Sequence, residues 1–213
     1  PISLFLIAYH KLCSIISFYK EIDFVAYADD FHLIIKSNKM KNPIINLNRL
    51  FNDIDTWSTK SGANLSVPKC KSIHICRKQS CKCTINSSST VLTQVESMKI
   101  LGLNINTRYR WDHHINYLVS SLSSRLKIIK CFSNPKMNCN TYTIISIIKS
   151  ILLSKINYAL VIYGHSSNSK LRKLKSIINS AVRSSLGAFR STPVNNMLFE
   201  SNILSLVTQP TVL

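Results

Sequence analysis

The chain has 213 residues, 46% of them hydrophobic, and sets 27 Lys and Arg against nine Asp and Glu for a formal net charge of +18. That length suits one large domain or two small ones with a real core, and the charge favours a polyanionic partner, nucleic acid before an anionic membrane. Seven cysteines, an odd number without a secretory context, argue against a disulfide framework and for a reduced, intracellular setting.

The chain opens on Pro1, so it reads as a piece of a longer translation product. "PISLFLIAYHKLCSIISF" lacks the basic start and small-residue cleavage site of a signal peptide. Its apolar residues Leu4, Ile7, Ala8, Leu12 and Ile15 recur at helical spacing, which predicts a helix to about residue 20. Phe24 to Ala28 and Phe31 to Lys36 read as two short strands, with Asp29-Asp30 as the two-residue turn between them. Pro43 begins a helix to about Lys60, with Ile44, Leu47, Phe51, Ile54 and Trp57 on one face and Gly62 just past its end. A loop and a strand follow in "LSVPKCKSIHIC". The polar, Ser-rich residues 77 to 90 read as a surface loop or an irregular hairpin. Cys70, Cys76, Cys81 and Cys83, with His74 between, lack the paired C-x2-C spacing of a common zinc site and read as free thiols.

"SMKILGLNIN" predicts a hairpin around Gly102. After Trp111 the pattern turns helical: Ile115, Leu118, Val119, Leu122, Leu126 and Ile129 form one stripe, broken at Asn134-Pro135. A long helix is expected from about Thr141 to Tyr163. Lys149 and Lys155 interrupt it and argue for a buried helix over a membrane span. A last helix, from about Ser169 to Leu186, carries Leu171, Leu174, Ile178, Ala181 and Val182 on one side and Lys170, Arg172, Lys173, Lys175 and Arg183 on the rest, with Gly187 as its stop. The fold class expected is α+β, mixed up to about residue 110 and all-helical from 111 to 213.

The sharpest chemistry is Tyr27-Ala28-Asp29-Asp30. Adjacent carboxylates at a tight turn project from the strand ends, where oxygen ligands hold hard cations such as Mg²⁺. Two such ions about 3.5–4 Å apart can activate an attacking hydroxyl and stabilise a leaving pyrophosphate. Here the sequence resembles the non-LTR retrotransposon reverse transcriptases. Tyr27-Ala28-Asp29-Asp30 looks like their catalytic hairpin, and "SGANLSVPKCKSIHICRK" like the next palm segment. "MKILGLNINTRYRWDHHINYL" resembles the primer grip and thumb entry, and "INSAVRSSLGAFRSTPVNNMLFESNILSL" the tail beyond the thumb. "PISLFLIAYHKL" is similar to the helix after the template loop. Five segments in order make the likeness specific where the four-residue turn alone would be weak.

The resemblance implies a partial polymerase palm over 1–110 and a helical thumb with extension over 111–213. It implies Asp29 and Asp30 as ligands of two Mg²⁺ ions, and Lys69 as the lysine near the incoming triphosphate, with Lys71 the nearby alternative. Tyr27 and Ala28 would shape the turn near the primer end, Leu101 and Gly102 would belong to the primer grip, and Lys170, Arg172, Lys173 and Lys175 would face nucleic acid. Partners would be an RNA template, a DNA primer and deoxynucleoside triphosphates, in the cytoplasm and nucleus, with no membrane. A further carboxylate is needed. Asp23 lies six residues before Asp29 on the same strand, about 20 Å away at strand rise, and the family's partner aspartate lies upstream of residue 1. The fragment is therefore expected to be inactive alone, and the competing reading is a non-catalytic basic nucleic-acid-binding remnant. His10-Lys11 and Asn64 depart from the family pattern, as in a diverged or decayed copy. Apolar palm surface left uncovered predicts poor solubility.

Overall fold

The computed structural model describes residues 2–36, 41–63, 66, 69–76, 85–86 and 91–204, in two compact units, 1–98 and 99–213. The mixed α+β character expected from the sequence is present. The division falls at Met98/Lys99, so the Leu101-Gly102 turn folds with the helices, although the sequence pattern placed it in the first part.

In the first unit, helix α1 (Ile2–Ser17) leads into strands β1 (Ile22–Tyr27) and β2 (Asp30–Ile35), an antiparallel pair, and then helix α2 (Lys41–Ser61). Gly62 ends α2 at φ +69, the left-handed position that glycine fills without a Cβ penalty. Strand alternation sorts the hairpin. Ile22 is buried, and Phe24, Phe31, Leu33 and Ile35 pack on a core built around Leu12, Ile16, Leu47, Leu50 and Ile54. Val25, Tyr27 and Ile34 lie on the other face and are exposed, in keeping with the uncovered apolar surface expected. Tyr19 Oη donates to Asp53 Oδ2 at 2.6 Å and ties the end of α1 to α2; desolvation first, then this bond, pushes its pKa up to about 12. Short strands β3 (Lys71–Ser72), β4 (Ile85–Asn86) and β5 (Val91–Gln94) form a sheet in the order β3-β5-β4, parallel then antiparallel. Cys81, Cys83, Asn64 and most of 77–90 lie outside the described residues.

The second unit begins with a hairpin of β6 (Ser97–Ile100) and β7 (Leu103–Asn106), whose first two residues close the unit before it. Helix α3 (Asp112–Phe132) follows and buries Ile115, Leu118, Leu122 and Ile129, as its stripe predicts. A 3₁₀ turn at Pro135–Met137 follows, its first free amide held by Asn134 Oδ1, which accepts from Lys136 N at 3.0 Å. The single helix expected over 141–163 is broken. It runs as α4 (Thr141–Ile148), a π-helical turn (Lys149–Leu153) and α5 (Ser154–Asn157), then resumes as α6 (Leu160–Tyr163). The break comes at Ala159, whose φ is +56, a conformation that costs a residue with a Cβ about 1–2 kcal/mol. Neither Gly nor Pro marks it. Tertiary bonds hold it instead: Tyr158 Oη donates to Leu101 O at 2.6 Å, and the fully buried Tyr163 donates to Ile156 O. Helix α7 (Asn168–Ser185) packs on α3 and α4, stops at Gly187 (φ +60), and is followed by α8 (Val194–Glu200).

A π-turn disturbs the regular pairing of helical carbonyls. Arg125 on α3 answers this: its guanidinium donates to Ile151 O at 2.8 Å in a half-buried site. Two substitutions test this core. Arg125→Met leaves that carbonyl without its donor and is expected to cost about 1–3 kcal/mol in urea unfolding; a change below about 0.5 kcal/mol contradicts the assignment. The second concerns His114, 2% exposed, where Asn104 N donates to Nδ1 at 3.4 Å and Nε2 finds no partner. Burial, then the charge of Lys155, lowers its pKa below 6.5. The folded state therefore resists protonation that the unfolded chain accepts, so stability falls as pH drops through 6.5 toward the folded pKa. His114→Phe should flatten the fall in melting temperature between pH 7 and 5; an unchanged slope contradicts it.

Candidate functional site

The β1–β2 hairpin presents its carboxylates differently from the expected turn. Ala28 and Asp29 form the turn, with Ala28 at φ +53, and Asp30 is the first residue of β2, directly opposite Tyr27. Left-handed backbone at the first turn residue suits the right-handed twist of the strands, and this shifts the loop one residue toward the N-terminus. Asp29 therefore sits at the tip, Asp30 at the strand end beside it, and both are exposed. In strand alternation Asp30 shares the outward face with Tyr27, Val25 and Ile34.

Adjacent, exposed carboxylates at a rigid strand end have the oxygen donors that a hard divalent cation takes. They fit Mg²⁺ in kind. They do not complete a site: among the described residues no group of three or more His, Cys, Asp or Glu is placed to share a metal ion. Asp23 lies at the far end of the hairpin, opposite Ile34, 3.5 Å from Lys36 Nζ. Asp53, on α2, accepts from Tyr19 Oη. Lys69 and Lys71 are exposed, Lys69 in a tight turn with its amide donating to Ser66 O at 2.9 Å and Lys71 on β3; among the described residues neither side chain pairs with the aspartates.

The hairpin tip of the second unit is built with more constraint. Leu101 and Gly102 take φ of +44 and +87, the paired left-handed residues of a tight hairpin turn. The Tyr158 ring lies against it, 3.3 Å from where a Cβ on Gly102 would stand, while its hydroxyl holds the Leu101 carbonyl. Glycine is required there twice over, by φ and by space.

The four basic residues of α7 divide. Lys170 Nζ lies 2.7 Å from Asp112 Oδ1, and that hydrogen bond first, opposed by slight burial, lowers the Asp112 pKa. Lys173 Nζ donates to Asn116 Oδ1 at 3.4 Å. Arg172, exposed, and Lys175, half-buried, make no side-chain hydrogen bond or ion pair among the described residues. Two predicted nucleic-acid contacts thus also clamp α7 to α3. Sequence reasoning missed Lys99, Tyr117, Lys155 and Tyr158. The one available signal was Lys155, a charge inside an apolar helical run. Among the described residues no helix is long and apolar enough to cross a membrane.

Two curated relatives match most of the chain. The RNA-directed DNA polymerase from mobile element jockey of Drosophila melanogaster is 19% identical over 162 residues, 76% of this chain and 18% of that protein. Its counterpart in Drosophila funebris is 22% identical over 170 residues, 79% of this chain and again 18% of the relative. The chain is related to reverse transcriptases. It spans about a fifth of the length of these relatives. No family model matches the chain, and no solved structure does.

Substitution at the second hairpin turn tests its geometry. Gly102→Ala is expected to destabilise the protein by about 1–2 kcal/mol through φ strain, with a further penalty from Tyr158. In a Tyr158→Ala background the second part should vanish. Equal penalties in both backgrounds, measured by urea unfolding, contradict the contact.

Proposed function

We propose that the chain is the palm-and-thumb portion of an RNA-directed DNA polymerase of a non-LTR retrotransposon. The observation that carries this is the ordered likeness to the jockey polymerases over three quarters of the chain, with an adjacent Asp pair at a hairpin end. In this reading Asp29 and Asp30 hold Mg²⁺ together with a carboxylate from another part of the intact protein. The ions there would supply charge stabilisation for nucleotidyl transfer. This chain's own residues do the rest: the rigid β1–β2 strands fix the two carboxylates, Tyr27 borders the primer end, and Lys69 stands toward the triphosphate. The tight Leu101-Gly102 turn, braced by Tyr158, would lie beside the primer strand.

The second unit binds the template–primer duplex. Residues 99–213 carry fifteen Lys and Arg and only two acids, Asp112 and Glu200. A surface so deficient in carboxylates accumulates positive potential that phosphates neutralise. The same asymmetry supports the second reading, a basic nucleic-acid-binding remnant whose Asp pair is idle.

The 213-residue chain is expected to incorporate no deoxynucleotides on a primed RNA template with Mg²⁺, because the metal site is incomplete. It is expected to bind that primed template with an affinity that falls steeply with salt. Incorporation that Asp29→Ala abolishes contradicts the expected inactivity, and salt-insensitive or absent binding contradicts the nucleic-acid role.

A further inference from the structure

One row of α3 residues organises the basic surface of the second unit. Tyr117, Ser121 and Arg125 recur every four residues, so they share a face. Arg125 takes the carbonyl of Ile151. Four residues after Ile151, Lys155 donates to Ser121 Oγ at 2.6 Å. The same ammonium lies 5.2 Å from the centroid of the Tyr117 ring. Lys99 arrives from β6 and sets its own ammonium 5.6 Å from that centroid. Two cations thus converge on one aromatic ring.

Neither has a carboxylate. The two ion pairs among the described residues are Lys36–Asp23 and Lys170–Asp112. A cation–π contact at an exposed site is weak, and a hydroxyl adds a neutral hydrogen bond. These hold the ammonium groups in place without cancelling their charge. Lys155 is half-buried, which limits its screening by water. Both ammonium groups lie within 5.6 Å of one ring centroid, close enough for one polyanion to engage the two and relieve their repulsion.

The surroundings favour a repeating anion over a single small one. Lys173 bonds Asn116, on the neighbouring face of the same helix, so α3 holds a further cation near its start. Tyr158, three residues after Lys155, carries the Leu101-Gly102 turn of the hairpin that brings Lys99. A nucleic-acid strand in a duplex offers one phosphate per about 3.4 Å of helix axis and can engage such a series together.

We propose that Lys99, Tyr117 and Lys155 form a clamp for a backbone phosphate of bound nucleic acid, with Ser121 fixing Lys155 and Tyr117 gathering both ammonium groups. The assignment rests on the nucleic-acid reading above and adds a defined contact to it. Its test is fluorescence anisotropy of a labelled RNA–DNA duplex with the whole chain over a salt series. Lys99→Gln/Lys155→Gln should weaken binding roughly tenfold at 0.1 M salt and lower the slope of log affinity against log salt by about one or more. Lys99→Arg/Lys155→Arg should restore binding. Lys127→Gln/Lys130→Gln, which removes equal charge from the far part of α3, should lose clearly less. Equal losses in the two Gln pairs overturn the clamp, since the lysines would then act only through the general field. A wild-type chain that binds no duplex overturns the nucleic-acid reading itself. If the clamp variant keeps duplex affinity but loses affinity for a deoxynucleoside triphosphate, the anion is a free triphosphate and the backbone assignment fails. Circular dichroism should show every variant folded at the assay temperature, with at most a small drop in melting for Lys99→Gln/Lys155→Gln from its lost ring and hydroxyl contacts; a Lys99→Gln/Lys155→Gln chain unfolded at that temperature would make the pair structural and overturn the proposal.

Discussion

The bond from Arg125 to the carbonyl of Ile151 sets the register of the helical unit. It lies where α4 passes through a π-turn, and regular helix pairing is disturbed at that point. Once Arg125 is engaged there, Lys155 falls beside Ser121 and Tyr117, and the chain reaches Tyr158 in time to brace the Leu101-Gly102 turn. Ala159 then bears the unfavourable backbone angle that reverses the chain. A buried tyrosine, Tyr163, and a neutral buried histidine, His114, with ring centroids 5.1 Å apart, fill the space behind. The same row of α3 therefore serves packing at one end and gathers cations at the other.

Charge is distributed to match. Seven of the nine acids fall within residues 1–98, and residues 99–213 keep two, one of which spends its charge on Lys170. The first unit carries an adjacent carboxylate pair on a stiff hairpin, and the second carries uncompensated cations on helices. In the function proposed above, the carboxylate pair would serve the metal site and the cations the duplex.

Much of the fold was legible in the sequence because period and punctuation agreed. The stripe from Ile115 to Ile129 is the buried face of α3, and Gly62 and Gly187 end their helices at positive φ. The Leu101-Gly102 hairpin is where its glycine puts it. Legibility failed where tertiary contacts overrode local preference. The break at Ala159 has no local signal, because its support comes from Leu101, far away in sequence. The turn at Ala28-Asp29 was read one residue late, since Asp favours turns and Ala seldom takes a left-handed angle. Lys170 and Lys173 read as free cations from their helix face alone, and their partners Asp112 and Asn116 belong to another helix. The Lys99–Tyr117–Lys155 cluster joins three elements and has no pattern in any one of them.

The central claim is that the helical unit holds a nucleic-acid duplex against its basic face, with the second hairpin turn beside the strand. Photo-crosslinking of a primed RNA template to the whole chain, with the modified residues mapped by mass spectrometry, tests it most directly. The account predicts crosslinks at the Leu101-Gly102 turn and along α3, α5 and α7, lost as salt rises. Crosslinks confined to residues 1–98, or scattered without regard to salt, would contradict it.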